Sequence, residues 1–195
     1  MRAELLLVLP AVLALSACFG GGNAPDQLLT LTAAQPRPVG TQRTAGQGEA
    51  ITVAAPSLPQ ALRTTRIPVY VNDTTIQYLT DAVWVDQPDE LFARLLGDTI
   101  AARTGRVVLD PSQYSHDPGT RITGTLLKFG LDPNAMQVVI VYDAVLARSG
   151  ANGAVMTNRF EARQPVAEAT PAAVAPALNQ AANQLADQVA AWIGS

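Results

Sequence analysis

The chain has 195 residues, a formal net charge of −3, 48% hydrophobic and 15% charged residues, one cysteine and one histidine. This length supports one domain with a sizeable core, and the composition excludes a disordered chain. A mild acidic balance without a basic cluster argues against a nucleic-acid partner. With a single cysteine and a single histidine the usual zinc ligand sets cannot be filled, so no metal and no cofactor is expected.

Met1-Arg2-Ala3-Glu4 opens the chain, and an apolar run from Leu5 to Leu15 follows, broken only by Pro10. About a dozen apolar residues match the h-region of a signal peptide, whereas a permanent membrane helix needs about twenty. The run closes on Leu15-Ser16-Ala17-Cys18, the pattern of a lipobox. Small residues at Ser16 and Ala17 fit a signal peptidase, and Cys18 supplies the thiol that is alkylated with diacylglycerol. The plainer reading, a secreted protein with a chance cysteine, leaves that thiol without a use, because a lone cysteine forms no internal disulfide. Residues 1–17 are thus expected to be removed, leaving 178 of the 195 residues behind an acylated Cys18. Fatty chains of the palmitate class contribute roughly 0.8 kcal/mol per buried methylene, so the three chains of a mature lipoprotein anchor stably. Phe19 stands where an Asp retains lipoproteins in the inner membrane of enteric bacteria. It points to the periplasmic face of the outer membrane. No second apolar run reaches eighteen residues, so the lipid is the expected attachment.

Residues 18–26 form a tether around Gly20-Gly21-Gly22-Asn23-Ala24-Pro25, and residues 27–195 form the domain. Six flexible residues reach only about 12–15 Å, which holds the domain near the headgroups. Gln27–Thr32 is predicted as a first strand, Gln35–Gly48 as a polar loop, and Glu49–Ala55 as a second strand with Ile51 and Val53 on one face. Pro56–Leu62 suits a short helical turn. Ile67–Val71 and Thr74–Leu79 suit a hairpin turning at Asn72-Asp73. After Trp84, Asp86 or Gln87 can cap a helix in which Pro88, Asp89 and Glu90 occupy the first turn. Leu91, Phe92, Leu95, Leu96 and Ile100 give that helix its apolar stripe, and Thr104-Gly105 ends it. Val107–Leu109 is a short strand and Asp110–Thr120 a loop. Arg121–Leu131, Gln137–Arg148 and Val155–Pro165 then form an antiparallel meander. Val138-Val139-Ile140-Val141 makes its middle strand apolar on both faces, hence central and covered. Thr170-Pro171 opens a last helix running to Ile193, striped by Leu178, Leu185, Val189 and Trp192. The expected architecture is α+β: a mostly antiparallel sheet of about six strands with two main helices packed on it, in a single domain.

No catalytic constellation assembles. His116, in the loop Ser115-His116-Asp117-Pro118, is better explained as a solvated side chain than as a lone base. No serine sits in a nucleophile elbow, and Gly46-Gln47-Gly48 lacks the strand–loop–helix frame of a phosphate loop. Asp81, Asp86, Asp89, Glu90 and Asp98 could form a metal or partner patch, but a helix amino terminus and a solvated face account for most of them. Trp84 and Trp192 could be binding aromatics, although each adjoins an amphipathic helix and suits packing. The residues support no enzyme.

Three segments carry a resemblance: Val53-Ala54-Ala55-Pro56-Ser57-Leu58-Pro59-Gln60-Ala61-Leu62-Arg63, then Arg66-Ile67-Pro68-Val69-Tyr70, then Ala82-Val83-Trp84-Val85-Asp86 before an amphipathic helix. With the lipobox, the meander and the alanine-rich last helix, this order resembles the ABC-type transport auxiliary lipoprotein family, which includes PqiC-like lipoproteins. Gln27-Leu28-Leu29-Thr30-Leu31 resembles the family's opening strand without its common tyrosine. The likeness spans about residues 26–193. It implies a non-enzymatic accessory of an envelope transport system that moves phospholipids or other hydrophobic molecules between inner and outer membranes. The implied partners are a mammalian-cell-entry-type substrate-binding protein and its ABC permease and ATPase, and self-association as a homo-oligomer stays open. The alternative is an accessory lipoprotein of outer-membrane assembly or polymer export. A lipid-tethered hydrolase is a third, weaker reading.

Overall fold

The computed structural model describes residues 27–36, 39–46, 48–112, 119–149 and 153–194. The order is β1 (Ala50–Val53), a 3₁₀ turn (Gln60–Leu62), β2 (Arg66–Asn72), β3 (Thr75–Val83), α1 (Pro88–Thr104), β4 (Val108–Leu109), β5 (Gly119–Asp132), β6 (Gln137–Arg148), β7 (Val155–Pro165) and α2 (Pro171–Ile193). Both helices start as their sequences indicate, with Pro88 and Pro171 at the first helical positions. Gln87 and Thr170 occupy the cap positions without a side-chain cap bond. Asp86 instead pairs with Arg94 in the second turn of α1. Gly105 ends α1 in the left-handed conformation, at φ 70°, which a glycine adopts without steric cost.

The meander forms as expected: β5 pairs antiparallel with β6 over twelve registered positions, and β6 with β7 over eleven. A bulge at Leu127 keeps the core face continuous, so Ile122 and Leu126 before it and Phe129 and Leu131 after it all point inward. β6 is central, and its four-residue apolar run is buried on both faces. On the outer face Val139 lies between Gly130 and Arg163, and Val141 between Lys128 and Glu161.

Two expectations are corrected. The sheet has seven strands and is mixed, since β1 runs parallel to β4 and β5, and β2 runs parallel to β5. The cause is α1, which carries the chain back along the sheet so that β4 and β5 start at the end where β1 starts. Both β1 and β2 use the same edge of β5: residues 50–57 follow its first half, the chain leaves through the 3₁₀ turn, and Val69 rejoins it at Leu131. Gln27–Thr32 is not a strand. Only Leu29 makes a bridge, to Trp84, through Leu29 N–H to Val83 O and Val85 N–H to Leu29 O, each 2.8 Å.

One core fills the space between sheet and helices. Trp84 is 1% exposed and meets Phe129 at a tilt of 60° with 5.7 Å between ring centres, Phe92 meets Tyr142 edge-on at 5.2 Å, and Trp192 meets Phe160 at 5.6 Å. Both tryptophans are therefore packing residues. In α2 the fully buried Val174, Leu178, Ala181, Ala182, Leu185, Ala186 and Val189 form the contact face, and its alanines let the helix approach α1 closely.

Candidate functional site

The described residues that precede β1 are fastened to α2 by two asparagines one turn apart. Asn179 Oδ1 accepts the Thr32 N–H at 2.8 Å, and Asn183 Oδ1 accepts the Ala34 N–H at 2.6 Å. The Asn183 Nδ2 donates to Thr32 O at 2.9 Å and to Asn179 O at 2.8 Å. These amides supply the partners that an extended segment would otherwise find in a sheet ladder. Leu29 is fixed on Trp84 by its bridge and two backbone hydrogen bonds. Leu28 and Val85 stand exposed beside it, at 54% and 47%.

The direction of the helices sets the electrostatics. Arg106, just past the end of α1, bonds Glu49 O at the start of β1, and Arg148, at the end of β6, bonds Ile193 O at the end of α2. Arg148 is paired with Thr120 at the start of β5, and Arg106 bonds the Thr120 hydroxyl. Both helix carboxyl ends thus lie at one pole, and α1 and α2 run parallel. Parallel helices add their dipoles, about half a positive charge per amino end and half a negative charge per carboxyl end. Asp86, Asp89 and Glu90 lie at the amino pole, where Arg94 pairs with Asp86, and Arg43, Arg103, Arg106 and Arg148 lie at the carboxyl pole together with Glu49 and Asp187. Arg43 caps Ala101 O of α1, as Arg148 caps Ile193 O of α2.

The carboxyl pole holds a groove of about 930 Å³ lined by Arg103, Arg106, Arg148 and Asp187, with Ala190, Ala191 and Gly194 as small wall residues. Asp187 is held by Arg103 through two bonds of 2.8 Å, which raise the Arg103 pKa. Arg106 donates to Glu49 O at 2.8 Å, Ala50 O at 3.4 Å and Thr120 Oγ1 at 3.2 Å, all uncharged oxygens. Burial, and then the charge of Arg148, push its pKa down. Leu29 lies at the amino pole, since it bonds Val83 and Val85 just before α1 begins.

The acidic residues do not assemble as a site, in line with the expectation of a helix amino terminus and a solvated face. Asp86 is paired, Asp89 and Glu90 lie in the first turn of α1, and Asp81 sits in β3 at φ 56°. Among the described residues no three His, Cys, Asp or Glu side chains could hold a metal ion. No described helix is long and apolar enough to cross a membrane. Cys18 and His116 lie outside the described residues. Sequence reasoning missed both the asparagine clamp and the arginine groove. The spacing Asn179, Asn183 is visible on the polar side of a predicted helix, but its acceptors and donors are about 150 residues away. The arginines are scattered through the chain and form no cluster in sequence.

Two solved structures share the fold. One, described only as an uncharacterized protein, aligns with a TM-score of 0.66 at 15% identity, covering 86% of this chain and 99% of its own. The other, a Xanthomonas campestris protein assigned to the family DUF330, aligns with a TM-score of 0.62 at 19% identity, covering 87% of this chain and 92% of its own. No curated protein matches in sequence. The family model for the ABC-type transport auxiliary lipoprotein component matches residues 29–190, beginning at the residue that fastens to Trp84 and ending in the last turn of α2. On that match, which covers every strand and both helices, the chain belongs to the ABC-type transport auxiliary lipoprotein family.

Proposed function

We propose that the chain is a non-enzymatic accessory subunit of a mammalian-cell-entry-type, Mla/Pqi-like envelope transport system. It is held through acylated Cys18 on the periplasmic face of the outer membrane, where it docks the transporter that moves phospholipids or other hydrophobic molecules. Membership of the auxiliary lipoprotein family carries this reading. The fold supports it by fastening the residues after the tether at one pole, which leaves the other pole facing away from the anchor. Leu28 lies ten positions after Cys18. A flexible chain of that length spans about 17 Å root-mean-square, less than the roughly 25 Å length of α1. The described residues offer no nucleotide-binding loop, and ATP is used by another subunit in this reading.

The test is a mild crosslink in cells followed by purification of the tagged, detergent-extracted protein. Recovery of a mammalian-cell-entry protein or its permease supports the proposal. Recovery of outer-membrane assembly or polymer-export components alone would transfer the function to those systems. Intact mass of the amino-terminal peptide tests acylation of Cys18 separately.

A further inference from the structure

We propose that the cleft between the β2–β3 hairpin and the end of β5 binds the headgroup of a zwitterionic phospholipid. The cleft, of about 360 Å³, has an apolar wall made by Ala61 and Leu62 of the 3₁₀ turn, Ile76 of β3 and Leu127 of β5. That volume lies within the range of small-ligand pockets. A regular strand sends successive side chains to opposite faces, but the bulge in β5 brings both Leu127 and Lys128 to this cleft. Hydrogen bonds fix its walls. The Tyr78 hydroxyl donates to Ala61 O at 3.2 Å and pins the turn to the hairpin, and Asn134 Nδ2 donates to Val71 O at 2.8 Å. The Tyr70 hydroxyl accepts the Phe129 N–H at 3.0 Å, and its ring lies against Gly130, where a Cβ would stand 3.1 Å from it.

Two opposite charges are left over. Asn72 and Asp132 accept bonds from the backbone of their own turns, and Asp132 also faces Arg163 at 4.0 Å. Lys128 and Asp73 make no hydrogen bond or ion pair among the described residues, although both line the cleft. They do not pair with each other; Lys128 Nζ stands instead over the Tyr70 ring, 5.3 Å from its centre. A simple anion would meet the carboxylates of Asp73 and Asp132, and a simple cation would meet Lys128. A phosphate for Lys128 and an ammonium for Asp73 on one molecule, with an apolar stem for the Leu62, Ile76 and Leu127 wall, satisfies all three features. The choice of a phospholipid over another zwitterion rests on the lipid-transport reading above.

Native mass spectrometry of the full-length protein, released from maltoside micelles, tests the site with dihexanoyl-phosphatidylethanolamine as the probe. Dihexanoyl-phosphatidylglycerol, which has the phosphate and no ammonium, is the comparison. The expected result is one saturable phosphatidylethanolamine adduct that weakens about tenfold in Lys128→Gln and in Asp73→Asn. Both side chains are exposed, so neither variant threatens the fold. Arg121→Gln serves as the control, because Arg121 lies toward the other end of β5 and outside the cleft. Absence of a saturable adduct, an unchanged adduct in either cleft variant, or an equal loss in the control overturns the proposal. Phosphatidylglycerol binding as tightly as phosphatidylethanolamine also overturns it and reassigns the cleft to anionic ligands. The assay uses the isolated protein, so failure of the transporter reading is seen separately, in the crosslinked partners.

Discussion

Replacing Asn183 with alanine should release the segment between the tether and β1 while leaving the sheet intact. The substitution removes the acceptor for Ala34 N–H and the donor to Thr32 O. Both bonds are exposed, so water takes over part of each, and a net contribution of about 0.5–1 kcal/mol apiece is appropriate. Together they give about 1–2 kcal/mol, which corresponds to a 5- to 30-fold rise in local opening. Amide hydrogen exchange reads this directly. Thr32 and Ala34 should exchange faster by that factor, while the amides of β6 stay as protected as before. Leu29 remains held by Val83 and Val85, so its position beside Trp84 persists. Adding Asn179→Ala should extend the effect, since Thr32 N–H then loses its partner as well. Unchanged exchange at Thr32 and Ala34 in the double variant would refute the clamp and leave the segment held by Leu29 and Leu31 alone.

Other outcomes follow from the core and its titratable groups. Trp84→Ala should cost about 3–5 kcal/mol in chemical denaturation, as expected for a fully buried indole. Trp84→Phe should cost far less than that, because the buried indole Nε1 has no hydrogen-bond partner to lose. Gly130→Ala should detach β2 from β5, since a Cβ there would stand 2.2 Å from Pro68 O. The loss should be at least about 1–3 kcal/mol, with the β2–β3 hairpin exchanging first. Burial pushes the Tyr70 hydroxyl up to about 12 from 10.0, so its neutral form stabilises the fold fully below pH 10. That contribution is lost as pH rises from the unfolded value toward the folded one, and denaturation midpoints should fall across that alkaline window by about 2–3 kcal/mol at most. Tyr70→Phe should flatten that part of the profile. Asp143, whose pKa is lowered first by the hydrogen bonds from Arg159, contributes above the ordinary carboxylate range and loses its contribution on acidification. Asp143→Asn should remove only a small part of the acid sensitivity, because the pair is exposed on the sheet.

The elements were legible because their causes are local. Turn residues bound β5, β6 and β7, the three- and four-residue spacing of Leu91, Leu95 and Ile100 marks α1, and Pro171 with the alanine-rich stripe marks α2. Trp84 could be placed next to a helix, and the core confirms it as packing. Strand direction was not legible, because alternation of apolar residues is the same for parallel and antiparallel neighbours. Only the return path of α1 makes β1, β4 and β5 start together. Leu28, Leu29 and Leu31 suggested a strand, yet the backbone at Thr32 and Ala34 found amide partners on α2 instead of a sheet edge. The arginine groove lay further out of reach. Its charged members come from α1, the loop after it, the end of β6 and α2, and they meet only because α1 and α2 run parallel and present both carboxyl ends to one pole. The sequence by itself determined most of the secondary structure and the family resemblance, since these depend on short-range patterns. Tertiary structure alone decided the sheet's mixed topology, the clamp on the segment before β1 and the grouping of arginines at the helix carboxyl pole, since each depends on which distant residues the fold brings together.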